Sequence, residues 1–567
     1  MSEPVIVRTE TAQPTTDVSA TAAAAPAPLG RAAATGFLLM SGQSLLTRAM
    51  TLAAQVVVAR WLTPAEFGLF AIAMAVMRFS ELSQQVGVRE VVVSRQKRFH
   101  LWQNAAWWIA NVAGVVAALA TAIAAPIMAW VYGEPSLLWM LLILALAQPL
   151  YNVTLVQEAR LQIDMRFKRI AAGQFLQGAL MPASQAGFAI ARFGAYALVV
   201  PRLIVGVARW WFYRRAAPIE VRRDPQVRLW KYILLPGLLV LATNMSYNIG
   251  SSVPTLMLGR VGGAGSRLGQ AFAGHFGFAF NLSLQSVMLL SMQIDSILFP
   301  TLGKMAGDPV RQRAAFLRAG HALAAVMAPV CLFQIAAARP LILLVFGAKW
   351  EPAVVPFQVM SVGMLFAGAF APAQSLLQAQ ARFGKKLFIA LLWGVVSGVV
   401  SAVGILLAPE IQKVEAAAVG LAVGFIGYGV HGCISATRPI GGNAADVARV
   451  LTMPCMVGLL AMAIAMGADA YATPAAAGAL GRIAAWVVTL APERFEVGHV
   501  RDMLTHAFRI GLLGVVGGVS FLGLLRTLAP GVWKDMVQAA HPISRRLAPY
   551  LSRLHRRSAG GGGLRAR

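Results

Sequence analysis

A chain of 567 residues in which 58% are apolar and only 13% charged cannot cover a globular core with polar surface, and its mean hydropathy of +0.66 points the same way. A soluble protein is excluded. The net charge of +27 raises the question of nucleic acid, but no basic patch is interleaved with aromatic residues, so no nucleic-acid partner is expected.

Residues 1–34 are rich in Ala, Pro and Thr and read as a disordered cytoplasmic tail with no removable signal peptide. Beyond them, apolar runs of roughly 18 or more residues recur, each long enough to cross ~30 Å of hydrocarbon. Fourteen are expected: 35–59, 65–88, 104–131, 136–157, 170–191, 194–213, 232–257, 269–294, 319–346, 353–377, 387–408, 415–436, 450–472 and 507–529. The fold class is an all-α polytopic membrane protein. It divides into a first six-helix bundle at 35–215, a second at 216–436, two additional transmembrane helices within 437–529, and a basic cytoplasmic tail at 530–567.

Polar residues inside the spans are the candidate site. Span one carries Ser41, Ser44, Arg48, Thr51 and Gln55 on one helical face. An arginine at the bilayer centre costs roughly 2.5–3.5 kcal/mol even on lenient scales, so the stripe implies a polar cavity or a helix interface. Arg48 either meets a ligand or pairs with a carbonyl or with Glu81. Span two offers Arg78, Glu81 and Gln85, where Arg78 and Glu81 can also pair with each other. Span five presents Gln174, Gln177 and Gln185, consistent with a wet interior. Span six places Arg202 after Pro201. Span seven has Asn244 and Asn248 one turn apart, and span eight has His275, Asn281 and Gln285. Amides of this kind also serve as helix–helix glue. The pair Gly394 and Gly398 reads as close helix packing. Cys331, Cys433 and Cys455 all lie in spans without metal-ligand spacing, so neither metal nor cofactor is expected.

The basic residues order the topology. Loops on the side of the termini hold about 22 Lys and Arg against about 9 in the opposite loops, which places both termini in the cytoplasm. An internal repeat follows. Arg166-Phe167-Lys168 aligns with Arg382-Phe383-Gly384-Lys385 at an offset of 216 residues. Arg60 aligns with Arg260, and Gly68 with Gly269. The matching elements are six spans apart, so the two bundles run parallel.

At these turns and loops the sequence resembles the polysaccharide-export flippases of the multidrug/oligosaccharidyl-lipid/polysaccharide exporter superfamily. The resemblance is carried by "SGQSLLTRAMTLAAQVVVARWLTPAEFGLFAIAMAVMRFSELSQQVGVRE", by "ILFPTLGKMAGDPVRQRAAFLRA" at 297–319 and by "LILLVFGAKWEPAVVPFQVMS" at 341–361. It implies a V-shaped pair of bundles and alternating-access translocation of a polyprenyl-pyrophosphate-linked oligosaccharide across the inner membrane. Span seven departs from many relatives in carrying no acid within "NMSYNIGSSVPTLMLGR".

Such a cargo needs cations for its pyrophosphate, and arginine binds phosphate oxygens bidentately. Arg48, Arg78 and Arg202 against Glu81 fit an anionic headgroup, with Gln55, Asn244, Asn248, Asn281 and Gln285 for the sugars. The expected partners are the lipid-linked oligosaccharide and membrane lipid, with polysaccharide polymerase and chain-length proteins as neighbours. One rival is a cation- or proton-coupled small-molecule antiporter, which would favour more intramembrane acids. The other is a membrane polymerase or ligase, which would need paired carboxylates in the long external segment at 473–506. That segment has Glu493, Glu496 and Asp502 but no compact acid pair.

Overall fold

A computed structural model describes residues 27–80, 99–490 (save 165, 220, 306 and 381) and 496–537. The described chain is helical. The first bundle holds α1 (Ala27–Trp61), α2 (Pro64–Ser80), α3 (Phe99–Tyr132), α4 (Pro135–Asn152), α5 (Leu155–Ile163), α6 (Phe167–Ile190) and α7 (Tyr196–Ala216). The second repeats this order with α8 (Val227–Leu258), α9 (Arg267–Lys304), α10 (Pro309–Val345), α11 (Val354–Ala369), α12 (Ala371–Ala379), α13 (Phe383–Leu407) and α14 (Lys413–Thr437). Two further helices, α15 (Ala444–Leu490) and α16 (Val497–Leu528), pair with each other and lie against α10. Over the described residues each expected span falls on a helix or a broken pair of helices; residues 81–88 of span two lie outside them. Among the described residues, eight segments are long and apolar enough to cross a membrane. The chain is a multi-pass membrane protein.

The repeat extends to the backbone. In each bundle the first helix packs on the sixth element (α1 on α6, α8 on α13), and the third packs on the fourth (α3 on α4, α10 on α11). Span four breaks between α4 and α5, and span ten breaks at the same place, between α11 and α12. The Arg166 amide donates to the Leu161 carbonyl at 2.9 Å, and 216 residues on the Arg382 amide donates to that of Leu377 at 2.9 Å. Both arginines have matching N-cap dihedrals, φ −80°, ψ 57° and φ −91°, ψ 50°. The basic loops also do the same work twice. Arg160 and Arg169 donate to the carbonyls of Pro218 and Ala216 at the end of α7, while Arg382 and Gln380 donate to those of Ser435 and Ala436 at the end of α14. A helix end leaves four carbonyls without partners, and a cation is favoured there.

Three boundaries differ from expectation. Helix α1 begins at Ala27 rather than Thr35, because the alanine-rich stretch 32–34 is a strong helix former. The segment at 473–490, expected to be an external loop, continues α15. Pro474 sits inside that helix, and the Ala-rich run after it sustains the helix. At 47 residues α15 is ~70 Å long, more than twice a hydrocarbon core. The tail expected from 530 starts as a docked segment. Val532 and Trp533 pack with Phe521, Leu525, Ala325 and Val457, and His321 Nδ1 lies 3.3 Å from an Asp535 carboxylate oxygen.

The start of α15 is fixed by reciprocal capping. The Asp446 amide donates to Asn443 Oδ1 at 3.0 Å and the Asn443 amide to Asp446 Oδ2 at 3.1 Å. The same carboxylate receives Arg313 of α10 at 2.7 Å. Further along, Asp469 of α15 pairs with Arg509 of α16 at 2.8 Å. The first pair fastens α15 to the second bundle, and the second fastens α16 to α15.

Candidate functional site: a closed gate backed by arginines

The two bundles meet at the end that carries the α1–α2 and α8–α9 turns, and they close it by capping one another's helices. Helix α1 ends at Trp61. The Ala59 carbonyl accepts from Trp350 Nε1 at 2.9 Å, and Lys349 Nζ donates to the carbonyls of Arg60 and Leu62 at 2.9 and 2.7 Å. In return, Arg60 donates to the carbonyls of Leu344 and Val345, the last of α10, at 2.5 and 2.9 Å. The other pair of turns repeats the pattern. The Tyr132 hydroxyl at the end of α3 donates to the Leu256 carbonyl near the end of α8 at 2.7 Å, and the Gly265 amide donates to the Tyr132 carbonyl at 2.6 Å. Glycines with left-handed backbone, Gly133 (φ 62°) and Gly347 (φ 96°), turn the chain at the ends of α3 and α10.

Beneath these caps, α2 and α9 cross with their backbones in contact. A Cβ added to Gly68 would lie 1.7 Å from the Gln270 carbonyl oxygen, and one added to Gly274 would lie 2.0 Å from that of Pro64. Gly269, the aligned counterpart of Gly68, packs instead on the carbonyls of its own turn. An aromatic cluster seals the crossing. Trp350, fully buried, stacks on Phe278 at 4.2 Å and meets Phe67 of α2 edge-on at 5.5 Å. His275 is buried against the same indole, its Nε2 3.2 Å from the Lys349 carbonyl.

Behind the gate lie two of the predicted arginines. Arg78 of α2 donates from Nη1 to Ser251 Oγ of α8 at 3.2 Å, and its guanidinium carbon sits 5.6 Å from the Phe280 ring centre of α9. The Arg78 carbonyl accepts from Asn248 Nδ2 at 3.4 Å. Arg202 of α7 points Nη1 at the Met74 sulfur, 3.1 Å away and one turn before Arg78 on α2. The structure thus gathers Arg78, Arg202 and Asn248 around one helix at the junction of the bundles.

The remaining predicted residues are more dispersed. Arg48 and Gln55 are half-buried on α1, whose Thr47 packs into Gly178 of α6. The Thr51 hydroxyl bonds its own helix at Thr47. Asn281 donates to the Gly277 carbonyl at 2.7 Å, so its amide nitrogen is used within α9, and Gln285 is half-buried. Glu81 and Gln85 lie outside the described residues, as does the Asn244 side chain.

One network is absent from the sequence-based list. Arg209 of α7, half-enclosed in the first bundle, pairs with Glu158 at 2.5 Å and donates to Thr154 Oγ1 at 2.8 Å and to Gln177 Oε1 at 2.6 Å. Tyr151 and Tyr213 flank its guanidinium, each ring centre at 5.4 Å. Gln177, expected to line a wet face, is therefore a partner within the bundle. The signal was available: Arg209 falls inside span six, and an arginine there demands an acid. The expected close packing at Gly394 is present, since a Cβ on Gly250 of α8 would lie 3.3 Å from its carbonyl oxygen.

The described geometry has counterparts. A solved lipid II flippase, MurJ, in an inward closed conformation shares the fold with a TM-score of 0.63 at 10% identity, covering 87% of this chain and 99% of that one. An inward-facing multidrug resistance transporter of the MATE family matches at 0.57 and 15% identity over 69% of this chain and 94% of that one. Among curated proteins, the lipopolysaccharide biosynthesis protein WzxC of Escherichia coli K12 is 23% identical over 338 residues, 58% of this chain and 65% of WzxC. The succinoglycan biosynthesis transport protein ExoT of Rhizobium meliloti 1021 is 23% identical over 317 residues, 54% of this chain and 62% of ExoT. The chain thus spans slightly less than two thirds of either relative. A family model described as polysaccharide biosynthesis protein matches residues 57–355, from the end of α1 to the start of α11. That stretch holds the gate, Arg78, Arg202 and Asn248, and the chain belongs to this polysaccharide biosynthesis family.

Proposed function

We propose that the protein is a flippase that carries polyprenyl-pyrophosphate-linked oligosaccharide across the bacterial inner membrane by alternating access, and that it is not an enzyme. The observation that carries this reading is the gate. One end of the bundle pair is closed by bonds that exist only while the bundles touch, with arginines behind it at their junction. Both termini lie in the cytoplasm, so the closed end faces outward and the passage loads from the cytoplasmic leaflet. Arg48, Arg78 and Arg202 meet the pyrophosphate, whose charge matches their guanidinium forks. Gln55, Asn244, Asn248, Asn281 and Gln285 meet the sugars, Asn281 through its amide oxygen. Polymerase and chain-length proteins receive the delivered lipid.

Support also comes from the relatives, named for lipopolysaccharide and succinoglycan biosynthesis, and from a fold shared with a lipid II flippase. The test is a strain lacking the protein, in which the leaflet holding the lipid-linked oligosaccharide is determined. Accumulation in the cytoplasmic leaflet with loss of surface polysaccharide is expected. Accumulation of short repeats in the outer leaflet would instead identify a polymerase or ligase step and end this reading. Labelling of a cysteine at 214–231 from outside the cell would overturn the orientation.

A further inference from the structure

The second bundle contains a cavity of ≈ 180 Å³ among α8, α13 and α14. Its walls include Ser251, Lys386, Trp393, Ser397, Phe425 and Tyr428. Ser251 is the residue that receives Arg78, and Phe425 stacks on Phe280, the ring under the Arg78 guanidinium. The cavity therefore adjoins the junction where the arginines gather. At ~30 Å³ per water it has room for about six, close to the bulk of one sugar ring.

Its aromatic wall is fixed in place. A Cβ on Gly427 would lie 2.1 Å from Trp393 ring atoms, so only glycine leaves the indole its seat on α14. The indole Nε1 donates to His431 Nδ1 at 3.2 Å, which holds the ring in one orientation. Ser397 supplies the polar element. It is 3% exposed, and its hydroxyl makes no hydrogen bond. Among the other buried hydroxyls of the second bundle, Ser361 bonds the Phe357 carbonyl at 2.7 Å and Ser401 that of Ala417 at 3.0 Å, while Ser252 is also unsatisfied but does not line the cavity. A buried hydroxyl left unsatisfied is unfavourable, and a ligand hydroxyl is a suitable partner for it. Lys386 lines the other end, ~16 Å along α13 from Ser397 and so beyond the span of one ring that bonds Ser397.

A rigid aromatic face and an unsatisfied hydroxyl in a cavity of this size match the chemistry of a pyranose. Its C–H face is apolar and its edge carries hydroxyls. An acyl chain would leave Ser397 unsatisfied. We infer that this cavity is a subsite for a single sugar ring, with Trp393 as its stacking platform and Ser397 bonding a ring hydroxyl. The inference rests on the flippase reading for its cargo but is tested without export.

The experiment uses the full-length protein in lipid nanodiscs with fluorotryptophan incorporated, the Trp393 resonance being assigned by its loss in Trp393→Phe. Glucose and glucuronate are the probes. A saturable shift of that resonance is expected with both. Ser397→Ala weakens both about fivefold. A Trp393 resonance unmoved by either sugar, or equal affinities in Ser397→Ala and the parent chain, would overturn the subsite. Because the readout is binding by the purified chain, such a failure leaves the flippase reading to the leaflet measurement.

Discussion

Trp350→Phe removes one bond of the gate. The indole is fully buried, stacks on Phe278 and donates to the Ala59 carbonyl at 2.9 Å. Phenylalanine keeps an aromatic ring in the cluster and removes the donor together with the indole's second ring. The Ala59 carbonyl, in the last turn of α1, then has no partner from the second bundle while the gate is shut. A net hydrogen bond is worth ~1 kcal/mol, and the penalty for a buried acceptor left unmade raises this to ~2 kcal/mol. The open state is unaffected, since water reaches the same carbonyl there. The closed-to-open ratio should therefore fall by a factor of roughly 5–30. Spin labels at Phe193 and Ile411, both exposed, with the native cysteines replaced, would report the populations by their distance distribution in nanodiscs. Unchanged populations in both Trp350→Phe and Trp350→Ala would refute the idea that cross-bundle capping holds the gate.

Gly274→Ala places a Cβ 2.0 Å from the Pro64 carbonyl oxygen and should prevent the closed crossing, so the same labels should show the open state dominating; Gly277→Ala, whose Cβ meets only the Ala71 methyl at 3.0 Å, should change the populations far less. Arg209→Met strands Glu158 inside the first bundle and should cost ~3–5 kcal/mol, read as a lowered unfolding temperature that Glu158→Gln in the same chain largely restores. Arg78→Gln removes a cation from the bundle junction and should cut polysaccharide export about tenfold or more at normal protein abundance, whereas full export would remove Arg78 from the proposed headgroup site.

The elements legible in the sequence were those that depend on local pattern. Span positions follow from apolar length, and the 216-residue offset emerges again in the paired hydrogen bonds of Arg166 and Arg382. Arg78 and Asn248 could be chosen as candidates because an amide or a guanidinium in hydrocarbon is costly wherever it sits. Their meeting across α2 and α8 could not be read, since it depends on how two helices more than 160 residues apart come together. Lys349 and Trp350 escaped selection for a different reason. They sit in a six-residue 3-10 turn, Ala348–Ala353, where no periodicity marks a buried face, and their partners are backbone carbonyls, which carry no sequence signal. Arg209 was legible in type but not in partner, because Glu158 follows directly on the expected span four, 136–157, and the break between α4 and α5 turns it inward.

The placement of the caps explains why this end should behave as a switch with two positions. Four helices, α1, α3, α8 and α10, end here, and each takes at least one bond from the other bundle near its last turn. A terminal carbonyl can be satisfied by that partner or by water, and both outcomes are acceptable. A separation of one or two ångströms satisfies neither: the bonds are broken, yet aromatic rings still exclude water. The backbone contact at Gly68 and Gly274 adds the same constraint, because two helices touching at their main chains lose that contact abruptly on parting. Intermediate openings are thus less stable than either extreme. Small differences in how a ligand contacts the two states can then move the whole gate. In the closed position Arg60 and Lys349 are spent on carbonyls, which is why the headgroup contacts proposed above lie farther in, at Arg78 and Arg202.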